Sequence, residues 1–245
     1  VSMLGIPLAT LSILWAGAFL GALAAGGAGF AFALAASAIW LHALDPIQTT
    51  ALIVACGSIL HLTLVWPIRR SIDGVRLAPF LVGALVGVPL GVLVLTAVNP
   101  APLKLALGLG MAAYALYALL APRLPVIVAG GRWANAGIGF VGGILGGLGG
   151  YSGVVPTIWT QLRGWPKEVA RGVYQPFILF AHVVTLAAVG VVGIDGRSWL
   201  LIVLALPPLA IGAVLGLQIY GRLNEKAFKQ MLSLMILLSG LALVF

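Results

Sequence analysis

Two histidines, His61 and His182, sit inside apolar runs of this 245-residue chain. An imidazole in such a run can hydrogen-bond an anion or, with a pKa near neutrality, carry a proton. Gln175 precedes His182 by seven residues, two helical turns, and so shares its face. Arg171 continues that face after Tyr174; it is placed to guide an anion inward or to anchor at lipid headgroups. Glycine is concentrated in two places, "GALAAGGAGF" (Gly21–Phe30) and "GGILGGLGGYSG" (Gly142–Gly153). Glycine costs a helix roughly 1 kcal/mol relative to alanine, so such clusters mark a reversal where backbone must reach φ > 0. A reversal would leave amide N–H groups and the positive end of a half-helix facing a negative solute. Gly27, Gly29, Gly149 and Gly150 are therefore candidate binding positions, with Tyr151, Ser152, Trp159 and Gln161 from the same stretch.

Other chemistry is missing. All five carboxylates, Asp45, Asp73, Glu168, Asp195 and Glu225, fall at expected loops or helix ends. No carboxylate relay or cation cage is expected at depth. There is no P-loop, no HExxH and no cysteine–histidine cluster with metal spacing. The single cysteine, Cys56, reads as an inert buried thiol. No catalytic constellation, metal or cofactor is expected.

The elements that hold these residues follow from composition. The chain is 62% hydrophobic and 7% charged, with mean hydropathy +1.18, where a soluble domain carries about 25% charged residues. Its natural solvent is lipid, and the expected class is an all-α polytopic membrane protein, because lipid demands that backbone groups be satisfied within each segment. Continuous apolar runs exclude the alternating pattern of a barrel. The net charge of +8 is scattered between apolar runs, as in membrane-protein loops, so nucleic acid is not an expected partner. No basic leader precedes the first apolar run, so no cleaved signal peptide is expected. Six runs read as simple spans, about 46–68, 76–98, 102–121, 168–192, 198–221 and 227–245, each near the roughly twenty residues that cross a bilayer. Residues 4–43 and 134–164 are long stretches broken by the glycines.

The chain also repeats itself. At an offset of 121, Phe19 meets Phe140, Gly21 meets Gly142, Gly26 meets Gly147, Gly29 meets Gly150 and His61 meets His182. One residue further, Ile72–Gly74 meets Ile194–Gly196. At an offset of 125, Gly87 and Gly91 meet Gly212 and Gly216, Asn99 meets Asn224, and Lys104 meets Lys229. The reading is a first repeat over 1–121, a linker over 122–133 and a second repeat over 134–245. Basic residues set the orientation. If each broken stretch crosses once, the thirteen Lys and Arg split seven to six. If each folds back as a hairpin, or makes two short crossings, eleven share a side: Arg69, Arg70, Arg76, Arg123, Arg132, Arg163, Lys167, Arg171, Arg222, Lys226 and Lys229. Only Lys104 and Arg197 oppose them, which is the positive-inside pattern. The second repeat is then inverted, and both termini lie outside. Gly87/Gly91 and Gly212/Gly216 read as helix-packing positions, and Trp15, Trp66, Trp133 and Trp199 as an interfacial belt.

The repeated "FLGALAAGGAGF" and "FVGGILGGLGGYSGVVPTIWTQLRGWPKEVARG", each followed by an apolar helix, resemble the TauE/SafE sulfite-exporter family over nearly the whole chain. The second copy carries the more specific part: the glycine turn, the proline of "VVP" and the loop "WPKEVARG". The first copy has Ala24–Ala25 against Leu145–Gly146 and "LDP" against "WPK", so the second, more polar copy is expected to carry more of the binding. The resemblance implies export of small sulfur-containing anions, such as sulfite, sulfoacetate or related organosulfonates, across a bacterial inner membrane. Alternating access by rocking of the inverted halves, about a site formed by both hairpins, His61 and His182, is the expected mechanism. A passive anion channel, or a carrier for another small organic anion, is the alternative. The expected partners are the anion and the bilayer, and small-residue faces accommodate a homodimer.

Overall fold

The computed structural model describes all residues except Val1, Leu4, Gly5, Asp45, 98–100, 121–124, Ile194, Asp195 and Phe245. Arg123, Asn99 and the Ile194–Asp195 half of the second "IDG" thus lie outside the described residues, as does the Lys104 side chain. The described chain is helical apart from a small antiparallel pair, β1 (Ser2–Met3) and β2 (Ile6–Pro7). Ten helices follow among these residues: α1 (Leu8–Ala28), α2 (Phe32–Trp40), α3 (Pro46–Ile68), α4 (Gly74–Ala97), α5 (Ala101–Leu120), α6 (Gly131–Gly149), α7 (Val154–Leu162), α8 (Lys167–Gly193), α9 (Gly196–Arg222) and α10 (Glu225–Val244). A 3-10 turn, Arg69–Ser71, links α3 to α4.

Stretches within five helices are long and apolar enough to cross a membrane: Leu8–Ala28, Gln48–Ser71, Gly74–Leu95, Lys167–Ala188 and Gly196–Arg222. Their outward faces are apolar in keeping with a lipid solvent. The chain is a multi-pass membrane protein. Trp66, Trp133 and Trp199 are exposed, as belt residues should be, and Trp15 is exposed while its indole N–H donates to Leu204 O at 3.0 Å.

Each glycine-broken stretch is one long helix followed by one short helix that folds back. Nine residues of α2 or α7 rise only about 14 Å, too little to cross about 30 Å of hydrocarbon. Trp40, at the end of α2, donates to Leu14 O in the first half of α1 at 3.0 Å. Trp159 of α7 likewise donates to Asn135 Oδ1, near the start of α6, at 2.9 Å. The reversals occur at Gly29 (φ 89°) and Gly150 (φ 78°), the two left-handed caps that end α1 and α6. In each stretch the short helix lies back along the long helix before it.

Four interfaces hold the helices together: α4 with α6, α1 with α9, α5 with α10, and α3 with α8. Each joins an early segment to a late one, so 1–121 and 134–245 interlock. Glycine makes the first two possible. A Cβ on Gly87 would strike Phe140 O, and one on Gly91 would strike Ile144 O. The same contacts recur as Gly212 against Phe19 O and Gly216 against Leu23 O. The partners of each contact are related by the sequence offsets. With no side chain between them, two helices approach backbone to backbone, where dispersion contacts are densest.

One end of the molecule gathers the basic loops. Arg76 lies over the Trp165 ring at 5.1 Å, and Lys167 Nζ donates to Leu223 O at 2.6 Å. Arg163 donates to Val128 O and Ala129 O, while Ser71 packs against Gly172. Arg171 does not belong to this surface: it is fully buried, which removes it from the headgroup-anchor role.

Candidate anion-binding site

The α3–α8 interface carries the histidines. Ile53, Gly57 and His61 are spaced by four on α3, and Tyr174, Ile178 and His182 by four on α8, so each set lines one face. Ile53 packs against Gly150 and Tyr174 against Gly29, so each helix meets the turn of the other hairpin. Gly57 leaves room for the His182 ring; a Cβ there would sit 2.5 Å from Nδ1. The rings of His61 and His182 then meet edge to face, with centroids 5.5 Å apart. Their relative exposures are 0% and 1%.

The two rings differ in their hydrogen bonds. His182 Nε2 lies 3.1 Å from Gly150 O. A carbonyl only accepts, so Nε2 carries the proton. Neither nitrogen of His61 has a partner among the described residues. A neutral imidazole holds one N–H, and that donor is buried with nothing to receive it. The Ser152 hydroxyl, two residues beyond Gly150, is likewise buried and unpartnered.

The two reversals touch. A Cβ at Gly150 would be 3.6 Å from Ala33 Cβ, and one at Gly153 would be 2.9 Å from Phe30 Cβ. Thus the first turns of α2 and α7 meet beside the histidines. Neither short helix has a side-chain N-cap, so the positive ends of two helix dipoles converge there. The glycine amides themselves are not the donors expected from sequence. Gly29 N donates to Ala25 O at 2.6 Å, Gly150 N to Gly146 O at 2.7 Å and Tyr151 N to Leu145 O at 3.1 Å. A left-handed cap returns its N–H to the helix it ends, which leaves the Phe32–Leu34 amides of α2 as open backbone. In α7, Val154 N donates to Tyr151 O at 3.3 Å and Pro156 has no N–H, so its first turn offers Val155 N–H among the described residues.

The remaining candidates fall elsewhere. Tyr151 is buried and interacts with Ser37 of α2. Gly149 packs under Tyr151. Trp159 and Gln161 close the far end of α7, where Gln161 Oε1 accepts from Tyr114 at 2.9 Å. Gln175 and Arg171 form a separate group about 10 Å and 16 Å along α8 from His182. Arg171 Nη1 and Nη2 donate to Gly27 O (3.2 Å) and Gly26 O (2.7 Å), and its Nε donates to Gln175 Oε1 at 3.0 Å. Tyr174 donates to Ala28 O at 2.7 Å, and the Tyr220 ring lies 3.9 Å from the guanidinium carbon. Gly27 therefore serves through its carbonyl, at the end of α1. Sequence reasoning passed over Gly57 and Tyr220. Gly57 had a signal, since it shares the His61 face one turn away; Tyr220 had none, because only the tertiary structure brings its ring to Arg171.

No group of three or more His, Cys, Asp or Glu among the described residues is placed to hold a metal. Buried unpartnered side chains, His61 and Ser152, and two helix N-termini without side-chain caps gather here, and no ion pair to a carboxylate is formed there among the described residues. A family model described as Sulfite exporter TauE/SafE matches residues 10–243. The chain belongs to the TauE/SafE family. No curated protein and no solved structure matches it. Membership of TauE/SafE makes the chain a member of a family of membrane exporters, in keeping with its multi-pass bundle.

Proposed function

We propose that this TauE/SafE protein carries small sulfur-containing anions, sulfite, sulfoacetate or related organosulfonates, out across a bacterial inner membrane. The observation that carries the reading is the pairing of two repeat-related histidines where two uncapped half-helices meet. In this reading the anion takes hydrogen bonds from His61, the Ser152 hydroxyl, the first turn of α2 and the Val155 N–H of α7. His182 holds the second turn through Gly150 O. A sulfonate has one delocalised charge and several acceptor oxygens, which neutral donors can meet without a buried counter-charge. Arg171, Gln175, Gly27 and Gly29 serve the route between the site and the basic end, which we assign to the cytoplasm. Both termini are then outside, and the repeats are inverted. Tyr151, Gly149, Trp159 and Gln161 support the second hairpin in this scheme.

Alternating access is proposed through the hairpins. The interlocked α4–α6 and α1–α9 interfaces disfavour rocking of two sequence halves as rigid blocks. The α2 and α7 hairpins are short, uncapped and adjacent to the site, so they are the assigned moving parts. Complete burial of both histidines favours an occluded carrier over an open channel.

Proteoliposome flux tests the reading. Uptake of labelled sulfite or sulfoacetate should fall at least tenfold, about 1.4 kcal/mol, in His61→Ala and in His182→Ala. Normal flux in both variants would remove the site. Flux that neither saturates nor responds to counter-substrate would make the protein a channel.

A further inference from the structure

Arg171 is the buried charge that the histidine site does not use. Its guanidinium has no carboxylate within 4.0 Å among the described residues, where the ion pairs are Arg76–Asp73 and Lys167–Glu168. A buried charge without a counter-charge is costly. Its partners are the Gly26 and Gly27 carbonyls, the Gln175 oxygen and the face of Tyr220. Three of its five N–H groups are thereby engaged. Beside it, Gln175 Nε2 is fully buried and has no partner among the described residues. Capping a helix end does not require this charge. The matching end of α6 faces Ile53, and the residues 121 earlier than Arg171, Tyr174 and Gln175 are Thr50, Ile53 and Val54.

Both signs of charge stand between the group and the basic end: Lys167 N donates to Glu225 Oε1 at 3.0 Å, and Lys167 Nζ lies 3.8 Å from Glu168 Oε1. Lys167 is one helical turn from Arg171, and its Nζ lies 5.2 Å from the same Tyr220 ring. Tyr220 therefore has a partly exposed cation near it and a buried guanidinium against its ring.

We infer that Arg171 and Gln175 form a second anion station, at which an arriving anion displaces the Gly26 and Gly27 carbonyls and frees the end of α1. The inference rests on the anion-transport reading and adds a step to it. A sulfur oxyanion is the better partner for a guanidinium, being charged and bidentate. It also engages the idle Gln175 amide. Once the carbonyls are released, the first hairpin loses two of the hydrogen bonds that tie it to α8. The station thus couples the arrival of substrate to motion of the hairpin.

Hydrogen–deuterium exchange of the detergent-purified chain, with and without saturating sulfoacetate, reads this step. Amides in 26–33 should exchange about threefold faster with the anion in the wild type, against the usual protection by a ligand. Gln175→Glu gives the guanidinium a permanent carboxylate. That variant should keep at least the wild-type Tm, lose the anion response, and lose flux about tenfold. Arg171→Lys should exchange rapidly in 26–33 without anion and gain nothing further from it. Unchanged wild-type exchange, or a Gln175→Glu protein that responds and transports normally, overturns the station. Calorimetry on the same wild-type sample separates the two readings. Binding with unchanged exchange removes the station and leaves the transporter; absence of binding by sulfite and sulfoacetate removes both.

Discussion

At the scale of single residues, glycine is required where the backbone turns and dispensable where it does not. Gly150 combines φ 78° with contacts to Ile53, Ala33 and His182, and Gly29 combines φ 89° with Tyr174. An alanine at either site takes a left-handed backbone at a cost of about 1–2 kcal/mol, before any clash. Gly150→Ala should therefore lower Tm and impair flux together, since His182 bonds the Gly150 carbonyl. Gly137, in α6 with nothing within 4 Å of an added Cβ, is the control. Gly137→Ala should leave flux unchanged and hold or raise Tm, because alanine is the better helix former by about 1 kcal/mol. Thermal unfolding in detergent alongside reconstituted flux checks both. These residues also mark what was legible in the sequence. The duplication alone paired His61 with His182, since symmetry relates positions without knowledge of packing. The glycine turns were legible as turns, but their amides were assigned to a ligand when they close their own helices. Arg171 was read either as a guide for an anion or as a headgroup anchor, and its burial removes the second. Sequence periodicity gives a residue's direction around a helix, while its depth depends on what covers it, here α1 and Tyr220.

At the scale of elements, two glycine ladders set how closely the long helices approach. On α4, Gly83, Gly87 and Gly91 face carbonyls of α6, and Gly139 and Gly147 of α6 face carbonyls of α4 in return. The pattern is small-xxx-small from both sides, so there is no slack for a side chain. Overpacking a tight core by a methylene or two costs typically about 1–3 kcal/mol. Gly87→Leu, which adds more than that against a backbone atom, should exceed the range and abolish folded protein on size exclusion. Gly110 of α5 has nothing within 4 Å, and Gly110→Ala should elute and melt as the wild type does. If Gly87→Leu folds normally, the α4–α6 interface is misjudged. Hydropathy was sufficient to find α3, α4, α5, α8, α9 and α10 within a few residues, because lipid demands continuous apolar length. The glycine-rich stretches needed more. Their hydropathy is that of a span, and what distinguishes them is the return of Trp40 to Leu14 and Trp159 to Asn135. Those are tertiary hydrogen bonds, invisible to a window of sequence.

At the scale of the whole molecule, the argument turns on sidedness. In the proposed topology, fold-back of the second hairpin makes the number of full crossings between successive basic loops even, which puts the loops on one face. Contacts in the structure tie those loops to one another: Arg76 to Trp165, Lys167 to Leu223, Ser71 to Gly172, and Arg163 to residues 128–129. Arg171 leaves the count because it is buried, yet the exposed Arg69, Arg70, Arg76, Arg132, Lys226 and Lys229 preserve the bias. A positively charged loop is retained in the cytoplasm, which is the ground for the proposed inward placement of this end. The test uses cysteine accessibility in intact cells with a membrane-impermeant maleimide. Cys56 is buried and should stay silent, so the native chain supplies its own baseline. Arg70→Cys, Gly164→Cys and Lys226→Cys should be protected in intact cells and label after permeabilisation. His42→Cys, in the exposed turn after α2, should label from outside without permeabilisation. If Arg70→Cys and Lys226→Cys label from opposite faces, the inverted arrangement fails. The two hairpins would then no longer enter from opposite sides, and alternating exposure of the histidine site through them would lose its geometric basis.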